Sequence, residues 1–253
     1  MHTITRLQAA DRHGVRTTIE LDGEEWGTFD TEVVLRHELS PGRALDEQEC
    51  ERLLREDAFV RARRVAALLL AIRPRSSQEL RRRLRDYRPR ARRRRGRRNV
   101  SFATDEGAPP ALPFDEATVE AVVAHFTETG DLDDARFARR FVRHHLKLRA
   151  IGRLKLRNRL LQLGVAENLI DAALAAEPVA RPEGEAATIR RFIKRRLPRL
   201  QRDKPERCRQ KLDASLLRAG FDPKVFRPLL KEALGASVFS RDSSESRETD
   251  EDT

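Results

Sequence analysis

Apolar residues in the middle of the chain recur at three- and four-residue spacings, and one pattern occurs three times. Leu80 and Leu84, Leu156 and Leu160, and Leu212 and Leu216 are i, i+4 pairs set among basic residues. That spacing puts both leucines of a pair on one helix face. Four residues after the second and third pairs comes a glycine with a large apolar residue behind it, Gly164-Val165 and Gly220-Phe221. In the first copy the glycine position is Arg88, and the apolar residue arrives only at Phe114, after an arginine-rich insertion. Before the first pair, Val65, Leu68, Leu69 and Ile72 follow helical spacing and Pro74 ends the run. Ser76 then stands as a helix N-cap, with Glu79 three residues later in the capping-box position. Phe114 with Asp115 and Val119, and Phe221 with Asp222, Pro223 and Phe226, have the spacing of hydrophobic staples opening a further helix. Val165 and Ile170 repeat that spacing behind a weaker cap. Each copy therefore predicts three helices, the first ones spanning 58–72, 134–148 and 185–200.

The first 57 residues have a different rhythm. Short runs with β-branched residues at 4–9 and 15–21 are followed by Asp22-Gly23, then by Trp26, Phe29 and the run 33–35, which together predict three short strands. Asp-Gly is a hairpin signal because the turn needs positive φ, which glycine adopts cheaply. Trp26 is the expected core anchor of this small sheet. Pro41-Gly42 marks a turn, and Asp46 with Glu49 predicts a short helix over 47–55. The expected organisation is a β-rich segment 1–57 and a helical repeat 58–126 interrupted by the insertion 88–113. Further repeats follow at 127–177 and 183–235, then an acidic tail, 236–253. The fold class is mainly α: tandem three-helix repeats of about fifty residues in an elongated array, behind a small β-rich lead.

Charge adds a partner class to this picture. Of the 253 residues 37% are charged, and the formal net charge is +11. Such a surplus points to a polyanionic partner. Singly, an arginine in this composition is ordinarily a solvated helix face; grouped at spacings of three and four, several share a face. The candidates for contact with a partner or DNA are Arg81, Arg82 and Arg85 in the first copy, where Arg83 adds to the cluster. The second copy supplies Arg139, Arg140, Arg143, Lys147, Arg153, Lys155 and Arg157, and the third Arg191, Lys194 and Arg195. The tract 88–98 holds eight arginines in eleven residues, Arg92, Arg93, Arg94 and Arg95 among them. DNA, single- or double-stranded, is the expected target, and neutralising roughly five phosphates of a duplex would give a salt slope near −4 to −5. The segment 237–253 has six acidic residues against two basic ones, and could compete with DNA for the arginines.

Catalytic signatures are missing. The six histidines form no HxxxH or HExxH arrangement, and there is no P-loop, GxGxxG or GxSxG. Asp133-Asp134 reads as a helix start favoured by the dipole rather than a metal-binding pair. Cys50 and Cys208 fit no CxxC pattern and are expected to be free thiols. No signal organisation or membrane-length apolar run is present. A cytoplasmic, monomeric, non-enzymatic protein without metal, cofactor or membrane contact is the expectation.

With these residues in view, the chain resembles the RecX family, bacterial modulators of the RecA recombinase. The matching segments are RPRSSQELRRRL (73–84), GDLDDARFARRFV (130–142), and the run from Gly152 through Leu156 and Leu160 to Gly164-Val165. Two departures stand out: Arg159, where the family usually has an acidic residue, and the tract 88–113. The resemblance implies a three-helix-repeat protein that binds RecA filaments in their helical groove and restrains ATP hydrolysis and strand exchange. A sequence-blind protein that coats or compacts DNA is the alternative that composition alone leaves open.

Overall fold

The computed structural model describes residues 1–87, 114–148, 150–180, 182–200 and 204–235. The chain divides into two compact units, Met1–Asp133 and the part from Asp134 onward. In the first unit, strands β1 (His2–Ala9), β2 (Arg16–Leu21), β3 (Glu24–Asp30) and β4 (Ala44–Leu45) form an antiparallel sheet in the order β3-β2-β1-β4. The β2–β3 turn holds Asp22 at φ 53° and Gly23 at φ 90°, the left-handed pair that a tight hairpin requires. Trp26 packs beside Phe29, ring centroids 4.5 Å apart, on a core of Ile4, Ile19, Phe29 and Leu45.

Two expectations for this region are corrected. The run 33–35 is not strand: β3 stops at Asp30, whose carboxylate accepts the Glu32 N–H and caps helix α1 (Thr31–Arg36). Val33 and Val34 are adjacent and both buried; neighbours on a strand point to opposite faces, whereas neighbours on a helix can share one. The predicted helices 47–55 and 58–72 are one, α2 (Glu47–Ile72), opened by a complete Asp46/Glu49 capping box. Asp57, between the two predicted spans, is buried. It accepts the Asp30 N–H at 2.6 Å and pairs with Arg61 at 2.6 Å. One half of α2 (Cys50, Leu53, Val60) thus closes the sheet core, and the other (Ala62, Val65, Ala66) begins the first helical repeat.

That repeat continues with α3 (Ser77–Arg85) and α4 (Glu116–Glu128). Leu80, Leu84, Val119, Val122 and Phe126 fill its core. Ser76 Oγ accepts the Glu79 N–H at 3.1 Å, as a cap should. The Glu79 carboxylate receives the guanidiniums of Arg73 and the buried Arg75; desolvation lowers the pKa of Arg75. Asp115 caps α4 through the Thr118 N–H. The tract 88–113, with Arg88 and Arg92 to Arg95, lies outside the described residues. On either side of it Tyr87 and Phe114 stack, centroids 5.7 Å apart at 16°.

The second unit holds repeat two, α5 (Asp134–Leu148), α6 (Arg153–Gln162) and α7 (Glu167–Ala176), then a 3-10 turn at Pro178–Ala180. Repeat three follows as α8 (Pro182–Leu200), α9 (Pro205–Ala219) and α10 (Pro223–Leu234). Leu156 and Leu160 are fully buried with Phe137, Val142 and Ile170; Leu212 and Leu216 are fully buried with Ile193, Phe221 and Phe226. The glycine steps close both helices in the same way. Gly164 (φ 76°) and Gly220 (φ 81°) take the left-handed conformation. The Val165 N–H then reaches back to the Leu160 carbonyl at 3.1 Å, and the Phe221 N–H to that of Leu216 at 3.2 Å.

Candidate partner-binding surface

Helix α5 is strongly two-faced. Phe137, Ala138 and Val142 are buried. At 100° per residue, Arg136, Arg139, Arg140, Arg143 and Lys147 fall within about 100° of the opposite side. All five are exposed. Arg143 also donates to Glu177 at 2.9 Å, leaving its side chain 60% exposed. Arg139, Arg140 and Lys147 have no ion-pair partner among the described residues. Sequence reasoning did not single out Arg136, although the same three- and four-residue spacing places it on the stripe.

Helix α8 carries the second basic face. Arg191, Lys194 and Arg195 are exposed, and Arg191 lies 3.5 Å from Thr188 Oγ1. Arg190 sits on the same side, 3.7 Å from Glu232. Arg196 turns away and lays its guanidinium over the Phe192 ring, 4.5 Å from the centroid.

The remaining sequence candidates are built into the fold to different degrees. Arg81 donates to Glu120 at 2.8 Å and Arg85 pairs with Glu116, tying α3 to α4. The Arg81 hydrogen bond holds Glu120 below the usual carboxylate range, and the Glu116 hydrogen bond raises Arg85. Of the first repeat's candidates, Arg82 and Arg85 are exposed, as is their neighbour Arg83. In α6, Arg157 pairs with Asp171 and, at 2.7 Å, with Glu167 on α7. Lys155 donates to the Arg218 carbonyl at 2.7 Å, and Arg153 is half-buried at the start of the helix. Arg159, the departure noted above, is exposed. The carboxylates that absorb Arg81, Arg85 and Arg157 could have been found in sequence only by aligning the outer faces of two helices whose mutual rotation is set by the core.

This surface offers guanidinium and ammonium groups in a row and is suited to oxyanions, phosphate or carboxylate, on an extended partner. Among the described residues no group of His, Cys, Asp and Glu could hold a metal ion, and no helix is long and apolar enough to cross a membrane. Cys50 and Cys208 are buried thiols.

Comparison with known proteins assigns this architecture. The family model for RecX, second three-helix domain, matches residues 133–174, the segment that carries the α5 stripe. Regulatory protein RecX of Thermobifida fusca is 31% identical over 72% of this chain and 83% of that protein. Its counterpart in Prosthecochloris aestuarii is 33% identical over 48% of this chain and 76% of that protein. A crystal structure of regulatory protein RecX shares the fold at a TM-score of 0.63, 22% identical over 92% of this chain and 100% of that one. Three-helix repeats, a basic α5 stripe inside the matched segment and this degree of identity lead to one conclusion: the chain belongs to the RecX family of regulatory proteins.

Proposed function

We propose that the protein is a non-enzymatic regulator that binds the RecA recombinase filament, through the basic faces of α5 and α8, and restrains its ATP hydrolysis and strand exchange. The observation that carries this reading is the stripe of Arg139, Arg140 and Lys147. It is exposed, has no carboxylate partner among the described residues, and lies in the segment that matches the family model. A filament of recombinase on DNA is long and polyanionic, which suits repeated basic faces better than a compact site would. The protein acts as a monomer in the cytoplasm, and the arginine tract 88–113 adds sequence-blind affinity for single- and double-stranded DNA.

The test is a titration of the purified protein against preformed RecA filaments on single-stranded DNA and, separately, against the same DNA naked. Inhibition of filament ATP hydrolysis at protein concentrations below that of RecA, with weaker binding to naked DNA, is expected. Equal affinity for the two, with ATP hydrolysis unchanged, would replace this reading by the DNA-coating alternative.

A further inference from the structure

Helix α6 begins at Gly152, which has no side chain with which to cap it. The first N–H groups of a helix have no partner within the helix and must find one elsewhere. Here three in succession find it in repeat three. The Gly152 N–H donates to the Ala219 carbonyl at 2.8 Å, the Arg153 N–H to the Glu185 carboxylate at 3.0 Å, and the Leu154 N–H to the Gly220 carbonyl at 3.0 Å. Lys155 Nζ adds a fourth bond across the same seam, to the Arg218 carbonyl.

The backbones cross so closely that only glycine fits. A Cβ on Gly152 would lie 2.1 Å from the Gly220 oxygen, and one on Gly220 would lie 2.2 Å from Lys155 Cβ. Glu185 is 4% exposed, which at that depth demands hydrogen-bonded partners. Its hydrogen-bond donor is the Arg153 N–H, and the backbone of Asp222, the N-cap of α10, also favours its charged form. One carboxylate on α8 thus holds the start of α6. Burial pushes its pKa up, and the Arg153 N–H acts against that.

We propose that Glu185 and the Gly152–Gly220 crossing are positioning elements: they join repeats two and three into one preset body, so that the basic faces of α5 and α8 meet the partner at a fixed mutual angle. Repeat two is then not a self-standing module, because the start of its central helix is satisfied only when repeat three is folded beside it. A preset surface avoids the cost of ordering two hinged modules on binding. The functional half of the proposal rests on the filament reading above; the structural half does not.

The experiment uses the full chain with the two buried cysteines replaced by alanine and nitroxide labels at Asn168→Cys on α7 and Lys224→Cys on α10, both exposed positions. The distance between labels is read by pulsed electron resonance beside inhibition of filament ATP hydrolysis. The parent should give one narrow distance. Glu185→Ala should broaden it while circular dichroism keeps its helical amplitude, and the half-inhibitory concentration should rise roughly tenfold. Glu185→Gln, which retains an acceptor for the Arg153 N–H, should restore most of both. A distance that stays narrow in Glu185→Ala overturns the positioning role. A broadened distance with unchanged inhibition overturns the functional half. Should Glu185→Ala unfold the unit, the Gln variant decides alone: narrow distance and parental inhibition are required of it. If instead the filament reading is wrong, the parent itself fails to inhibit while its distance remains narrow.

Discussion

Repeats one and two place equivalent leucines, Leu80 with Leu84 and Leu156 with Leu160, on equivalent helices, and start those helices differently. Helix α3 is capped from within its own repeat, by Ser76, with Glu79 held by Arg73 and Arg75. Helix α6 has glycine at the same position and takes its partners from repeat three. The basic residues divide along the same line. Arg81 and Arg85 of repeat one bind carboxylates on the neighbouring helix, whereas Arg139, Arg140 and Lys147 of the α5 stripe are exposed and have no ion-pair partner among the described residues. One repeat plan thus caps its central helix from within in one place and from the following repeat in another.

The most severe way to break this comparison is Gly152→Val. The new side chain would begin 2.1 Å from the Gly220 carbonyl, so the seam must open; overpacking of this kind costs about 3 kcal/mol or more where backbone is the obstacle. Urea unfolding should show repeats two and three destabilised together, with the first unit unchanged. A loss confined to repeat two would show that the seam does not couple them.

Next in size is Ser76→Ala, the corresponding position in repeat one. Loss of the side-chain acceptor should cost about 1 kcal/mol, and hydrogen exchange should accelerate in α3 while α6 is unaffected. A smaller effect is expected from the Arg81–Glu120 pair. Its members are 27% and 44% exposed, and a double-mutant cycle on so accessible a pair should return about 0.5 kcal/mol. The sign of its pH dependence follows from Glu120, whose folded pKa is depressed. The contribution is present above the unfolded carboxylate value, roughly 4.3, and is lost as pH falls through the lower folded value. A coupling energy that persisted at pH 2 would exclude the ion pair as its source.

Local signals made much of this legible in the sequence. The leucine pairs, Ser76, Asp115, and the closing glycines 164 and 220 each act within a turn or two of helix, and each stands where its spacing predicts. Reading failed where a distant residue supplied the missing partner. The predicted helices 47–55 and 58–72 prove to be one because Asp57 between them is buried as the acceptor of the Asp30 N–H, a partner 27 residues away. Val33 and Val34 passed for strand because β-branched residues suggest one and only the Asp30 cap says otherwise. Glu185 attracted no notice: a lone glutamate near a helix start is ordinary in a chain with 37% charged residues, and its use 32 residues away leaves no periodic mark. The candidate surface was half legible for the same reason. Spacing showed which arginines share a helix face, but not which of those faces meet a row of carboxylates.

The central proposal, that Arg139 and Arg140 on α5 face the partner while Arg81 and Arg85 tie α3 to α4, is tested most directly by comparing two charge reversals in the filament ATPase assay. Arg139→Glu with Arg140→Glu should raise the half-inhibitory concentration at least roughly tenfold, about 1.4 kcal/mol, with thermal stability unchanged. Arg81→Glu with Arg85→Glu should lower stability and leave inhibition by the folded fraction near that of the parent. The reverse result, inhibition lost with the repeat-one pair and kept with the repeat-two pair, would contradict the account.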